Sequence, residues 1–280
     1  MRSINAISCA PAVKEWLTSS HQPRILHIFD HVCNLINERR DVLSIVTPQI
    51  GNGPFNLVLA DEVCFCNAID TETPIVTFSD QLALGILNIN MANTRSWDPR
   101  PKWERLHSER DHLFKRVSQL RATDHQVESF ITSLAKSTDL QSLLSAFSAA
   151  LAQADLPSAR KFAAQLAGLG FGLTPAGDDV LMGAMYATWI THPAEVAGVL
   201  LQETASSAAP LTTSLSAAWL RSAGRGEAGN LWHRFFDALL SSDAESIQSA
   251  ADKILAVGHT SGADALAGFL STMAASIDLT

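Results

Sequence analysis

The 280-residue sequence has little of what membranes, nucleic acids or disulfide scaffolds require. No stretch approaches the ~18 consecutive apolar residues of a membrane span. The richest window, Val180–Ile190, is broken up by small residues and Tyr186. Positive charge is in short supply, with Lys+Arg 20 against Asp+Glu 28 and a net charge of −8. That excludes a broad basic groove for nucleic acid and docking by charge to an anionic membrane, while leaving room for a small local anion site. Only four cysteines occur: Cys9, Cys33, Cys64 and Cys66. They form no Cys-x-x-Cys pair and no secreted framework, which fits reduced cytoplasmic thiols. Cys64 and Cys66, two apart on an expected strand, read as buried thiols on one face. Nine histidines are scattered along the chain. The apolar stretch before Cys9 is too short for an export signal. No tandem repeat of 20–50 residues is visible.

What is present is apolar: 47% of residues are hydrophobic, 17% are charged, and the mean hydropathy is +0.12. A chain this long buries roughly 75% of its unfolded surface and needs no staple. Its texture changes near residue 100. Val42–Val46, Phe55–Ala60, Val63–Cys66, Ile75–Phe78 and Leu82–Ile89 read as short strands. Turn chemistry at Thr47-Pro48, Gly51–Pro54 and Thr73-Pro74 separates them. Gly51–Pro54 lacks the Lys and following helix of a nucleotide loop and reads as a turn. Phe29, Val32, Leu35 and Ile36 recur at helical spacing and predict one helix over Ile28–Arg40. Strands so short and close favour an antiparallel sheet or small barrel over βαβ units.

Two prolines within Trp97–Lys102 exclude helix there and mark a linker. Beyond it the pattern is helical: Glu104–Arg121, His125–Lys136, Leu140–Ala154, Ala159–Leu169, Asp178–Ile190, Ala194–Ala205, Ser214–Ala223, Gly229–Leu240, Ala244–Val257 and Gly262–Ile277. Ala, Ser and Leu dominate several of them, and small residues let helices approach closely. The expected fold is therefore α+β, with a β-rich domain over residues 1–98 and a helical bundle over 99–280. The tryptophans, Trp16, Trp97, Trp103, Trp189, Trp219 and Trp232, read as packing groups.

Three loops stand out. Gly168–Asp179 holds four glycines in its first ten residues and ends in Asp178-Asp179 at a helix start. One Asp there is explained by capping and the helix dipole. Two adjacent carboxylates repel unless a proton, a cation or donor groups sit between them. Capping and a functional acid pair both remain open. In the second loop, Gly258–Asp264, Thr260, Ser261 and Gly262 precede an apolar helix and His259 adjoins them. Hydroxyls and free N–H groups at a helix start make an anion site, but Ser261 and Asp264 also nearly fit a capping box. The third loop, Thr212-Thr213-Ser214, is either a helix cap or an anion cradle. The first two loops echo each other. Gly172-Leu173-Thr174 leads to Asp179 and Gly183 as Gly258-His259-Thr260 leads to Asp264 and Gly268. Two such units would face one another across a shared cleft.

GLTPAGDD at Gly172–Asp179, TTS at Thr212–Ser214 and GHTSGADALAGF at Gly258–Phe269 resemble the AllH family. The Phe29 helix, the Gly53-Pro54 turn and the Trp97-x-Pro99 hinge occupy fitting places in that resemblance. It implies a carbamoyltransferase subunit of ureide (allantoin, purine-degradation) catabolism. The implied reaction interconverts oxalurate plus phosphate with oxamate plus carbamoyl phosphate. The implied partners are other subunits of a complex, one like an acyl-CoA synthetase subunit. On this reading Asp178, Asp179 and His259 are the catalytic candidates. Gly172, Thr174, Gly177, Thr212, Thr213, Ser214, Thr260, Ser261, Gly262 and Asp264 are the substrate-binding ones. The hydroxyl-bearing helix starts would cradle phosphate and polarise the carbamoyl oxygen, and His259 would move the proton. The acid pair would accept hydrogen bonds from substrate NH₂ groups or hold Mg²⁺. Two further readings stand beside it: a Mg²⁺-dependent phosphoryl- or acyl-transfer enzyme, and a non-catalytic scaffold subunit.

Overall fold

The computed structural model describes residues 2–78, 80–123, 138–241 and 243–277. It divides into two compact units, Met1–Pro99 and Arg100–Thr280. The first holds β1 (Arg2–Cys9), α1 (Pro11–Ser19), β2 (Arg24–Ile28), β3 (Val32–Ile36), β4 (Val42–Val46), β5 (Asn56–Leu59), α2 (Phe65–Ala68), β6 (Ile75–Thr77), β7 (Gln81–Leu84), β8 (Leu87–Asn90) and β9 (Arg95–Ser96). The strands form one nearly closed sheet in the order β2-β3-β4-β5-β1-β8-β7-β6, with β9 beside β1. Most pairings are antiparallel. β4–β5, β1–β8 and β1–β9 are parallel. Ile4, Leu35, Leu43, Ile45, Leu57 and Phe65 fill the interior.

The region expected to be the Phe29 helix is instead a hairpin, β2 to β3, followed by a turn into β4. Cys33 through Ile36 are buried on both faces, so no polar alternation marked the strand. Cross-strand pairing then outweighed a chance helical spacing. The turn into β4 is held by Asn37, whose side-chain oxygen accepts from the backbone N–H groups of Arg39 and Asp41 at 3.0 and 2.8 Å. No strand forms at Val63–Cys66: Val63 and Cys64 are irregular and lead into the short helix α2. Cys64 precedes that helix and Cys66 is exposed within it, so the two do not form a buried pair on a strand face. Leu82–Ile89 is two strands joined at Gly85, where a positive φ of 56° suits glycine. The sequence reading also missed β1, a central strand of the sheet.

Trp97 to Lys102 carries no regular element. The second unit comprises α3 (Trp103–Ser108), α4 (Arg110–Thr123), α5 (Thr138–Ala152), α6 (Leu156–Leu166), α7 (Ala176–Thr191), α8 (Ala194–Ala208), α9 (Ser214–Gly224), α10 (Asn230–Ser241), α11 (Ala244–Leu255) and α12 (Ser261–Ile277). The expected helix Glu104–Arg121 is split at Glu109. The expected helix His125–Lys136 lies outside the described residues. No helix among the described residues is long and apolar enough to cross a membrane. Asp155 and Asp243 cap α6 and α11 by accepting from backbone N–H groups of their first turns. Trp103, Tyr186, Trp189, Trp232 and Phe236 pack with ring centroids 5.0–6.3 Å apart. The indoles of Trp103 and Trp189 donate to the carbonyls of Gly226 and Ala223 at 2.7 and 2.9 Å.

The spine of this unit is α7 against α12. α7 is buried nearly all round, from Gly177 to Ile190. The two helices meet reciprocally. A Cβ on Gly183 would lie 1.7 Å from the Ala265 carbonyl oxygen, and one on Gly268 would lie 2.0 Å from that of Val180. Ala265 follows Asp264 as Val180 follows Asp179, so the sequence echo is an exchange of equivalent contacts. We expect Gly183→Ala and Gly268→Ala each to push the helices apart and cost about 1–3 kcal/mol or more, the range of core overpacking. Urea unfolding measures this. Wild-type stability in both variants would refute the close approach.

Candidate functional site

The α7–α12 contact brings the starts of both helices, and the loops before them, together. The first loop runs from α6 to α7 through Gly168, Gly170 and Gly172, all with positive φ (74°, 113° and 99°). No side-chain cap closes α7, because its N-cap is Pro175. Asp178 therefore does not cap its own helix. Its carboxylate accepts from the Gly168 N–H at 2.9 Å and from the Thr212 hydroxyl. Asp178 thus braces the first loop to the third, with both oxygens spent inside the chain. Thr213 caps α9, accepting from the Ser216 N–H at 3.1 Å and donating to the Leu173 carbonyl at 2.7 Å. Ser216, which the sequence reading overlooked, donates to the same carbonyl at 3.4 Å. The first and second loops are joined by the Thr174 and Ser261 hydroxyls, 2.8 Å apart. Gly177 and Gly262 sit in the first turns of α7 and α12. Their backbones pass so close to the carbonyls of Leu166 and Ile254 that a Cβ would lie 2.0 and 1.8 Å away.

Two acids stand at the centre. Asp179 is 6% exposed and Asp264 is fully buried. Asp179 Oδ2 and both carboxyl oxygens of Asp264 have no hydrogen-bond partner among the described residues. Buried polar atoms left unpaired are uncommon and costly. Burial pushes the Asp179 carboxyl up to about 8, and the Asp264 charge adds to the rise; the hydroxyls of Ser261 and Thr174 pull the other way. Burial likewise raises Asp264 to about 7, against the pull of the Thr260 hydroxyl. Thr260 faces Asp264 without closing a hydrogen bond to it. Near neutral pH the pair therefore holds protons that exposed aspartates have lost. A protonated carboxyl both donates and accepts hydrogen bonds.

The predicted residues sort accordingly. Asp178, Asp179, Thr174, Thr212, Thr213, Thr260, Ser261 and Asp264 are drawn together by these contacts. Ser214 opens α9 beside them. Gly172 keeps open space where a side chain would stand. His259 is exposed, and no hydrogen bond among the described residues ties it to the acids. Of the expected Asp178–Asp179 pair, Asp178 accepts two hydrogen bonds while Asp179 Oδ2 has none, and the acid that shares this lack of a partner is Asp264. Asp264 was legible as the matching Asp of the echoed motif. No group of three or more His, Cys, Asp or Glu among the described residues is arranged to hold a metal ion. An open groove of about 430 Å³ lies elsewhere, lined by Arg234, Ser246, Ser249 and Lys253 of α10 and α11, and it contains none of these residues.

Fold and site define a class: an α+β chain whose helical unit gathers three turn–helix loops around buried acids. Two family models match the sequence, the AllH family N-terminal domain over residues 5–96 and oxamate carbamoyltransferase subunit AllH over residues 166–273. Together they cover most of the chain, which belongs to the AllH family. No solved structure matches it.

The raised acids make stability depend on pH. A carboxyl whose folded pKa lies above its unfolded value near 3.8 stabilises the fold fully below that value, and the benefit is lost as pH rises to about 8. Between pH 6 and 9 the wild type should lose roughly 1–3 kcal/mol relative to Asp179→Asn, which carries no titrating proton there. Urea melts at several pH values test this. Parallel pH profiles for the two proteins would contradict the raised acid.

Proposed function

We propose that the chain is a carbamoyltransferase subunit interconverting oxalurate plus phosphate with oxamate plus carbamoyl phosphate, in the cytoplasmic breakdown of ureides. The observation that carries this reading is one of position. The segment matched to oxamate carbamoyltransferase subunit AllH, residues 166–273, contains all three loops and both unpaired acids. On this reading partner subunits complete the enzyme.

The chemistry needs a site for a neutral ureido group and a proton for a departing nitrogen. A phosphate oxygen attacks the ureido carbonyl carbon of oxalurate. The carbon–nitrogen bond to the oxamate half then breaks. That nitrogen leaves with its electron pair and takes a proton, giving oxamate and carbamoyl phosphate. Asp179 and Asp264 suit both tasks. A protonated carboxyl donates to a ureido oxygen and accepts from its N–H, the complement of an amide edge. Acids titrating near 7 and 8 are poised to give and retake a proton at neutral pH. The hydroxyls of Thr174, Thr260 and Ser261 orient the substrate, Gly172 leaves space beside it, and Gly177 and Gly262 let the helix starts pack closely. Asp178, Thr212 and Thr213 hold the loops in register, and His259 would exchange the proton with solvent. Asp178 accepts one hydrogen bond on each oxygen, so on this reading its task is to position the loops.

The test is the enzyme assembled with its partner subunits and assayed for carbamoyl phosphate made from oxalurate and phosphate. Asp179→Asn and Asp264→Asn should each lower turnover by at least ~10²-fold, as expected for loss of a preorganised transition-state contact. Assembly should survive both changes. Normal kinetics in both variants would remove the pair from the mechanism.

A further inference from the structure

The three loops carry acids and hydroxyls but no cation. Residues 162–220 and 254–280 contain not one Lys or Arg. Resting on the reaction proposed above, every substrate and product is an anion, and protonated carboxyls offer it no counter-charge. Helix-start N–H groups and hydroxyls hold an anion more weakly than a guanidinium or ammonium group, which forms charge-assisted hydrogen bonds with the charged end.

The same loops also expose apolar side chains. Leu169, Phe171 and Leu173 lie on the first loop, Leu211 immediately precedes the third, and Val257 leads into the second. Phe171 is 100% exposed and Leu211 is 54% exposed. The loops that carry them are tied together by backbone and hydroxyl contacts. The Leu173 carbonyl receives Thr213 and Ser216, Gly168 abuts the Leu211 carbonyl, and Val257 accepts from the Gly262 N–H at 3.1 Å. A phenylalanine fully in water on a glycine-flanked tip gains nothing for the isolated chain. Exposed apolar side chains gathered at one place mark an interaction surface.

We propose that a partner subunit docks on these loops, buries Phe171 and Leu211, and supplies the cationic side chain that binds the anionic end of the substrate. The occupant is thus a protein surface with an apolar pocket for Phe171 and a Lys or Arg beside it. Charge argues for this occupant: the substrates are anions, the loops bring no Lys or Arg, and a cation on the partner supplies the counter-charge. The acids hold the neutral carbamoyl end and the partner holds the charged end, so neither subunit alone has a whole site.

The full chain alone and the complex purified with its partner subunits are titrated calorimetrically with inorganic phosphate and with oxamate. The free chain should show no binding into the millimolar range, and the complex should bind both. Phe171→Asp and Leu211→Asp, exposed changes that leave the melting curve of the free chain unaltered, should each weaken assembly by at least ~10-fold in sedimentation or size-exclusion titration. Phosphate binding by the free chain as tight as by the complex overturns the proposal, and so do a complex that binds neither probe and two variants that assemble normally. Assembly and binding are read without turnover. A complex that forms through Phe171 and binds anions, yet transfers no carbamoyl group, counts against the reaction and leaves the docking surface standing.

Discussion

Two glycines without side chains hold the helical unit together. Gly183 against the Ala265 carbonyl and Gly268 against that of Val180 let α7 and α12 approach more closely than any larger residue permits. This one contact decides where both helices begin, and therefore where Asp179 and Asp264 lie. It also brings Thr174 to Ser261, so two loops more than eighty residues apart form one floor. The third loop then attaches through Asp178 and the Leu173 carbonyl. The contact is reciprocal, which makes the site a meeting of two equivalent helix starts.

Adjacent acids at Asp178 and Asp179 pose an electrostatic problem that the fold resolves by dividing their labour. Asp178 is satisfied by an N–H and a hydroxyl and acts as a brace. Asp179 and Asp264 are left with unpartnered oxygens, and burial disfavours the charged form of both. A stability-driven design would have replaced such unpaired acids with apolar groups. Their cost is spread over a unit with a large aromatic and aliphatic interior, built around Trp103, Tyr186, Trp232 and Phe236. Perturbed acids at a place where loops converge are a common mark of a working site.

The helical half was readable because its punctuation is local. Pro157, Pro175 and Pro193, the caps Asp155, Thr213 and Asp243, and Gly224 act within a turn of where they stand, so most helix limits lay within a few residues of the reading. The β unit was harder. β3 is buried on both faces and shows no alternation, so the apolar positions around Val32 and Leu35 imitated a helix. β1 pairs with β5, β8 and β9, which are distant in sequence, and nothing in its own eight residues announces a central place. Strand identity depends on partners that a local window does not contain.

By itself the sequence determined the division into a β-rich and a helical part, the turn-rich loops, and the residue types gathered in them. Those follow from backbone sterics and hydrophobic periodicity, which act over a few residues. Only tertiary structure decided that Asp178 is spent on a brace and that Asp264, not Asp178, shares with Asp179 the lack of a partner. It also decided that His259 is exposed and that burial raises both acids. Burial and the approach of a distant charge set these outcomes, and both are properties of the packed chain, not of any segment of it.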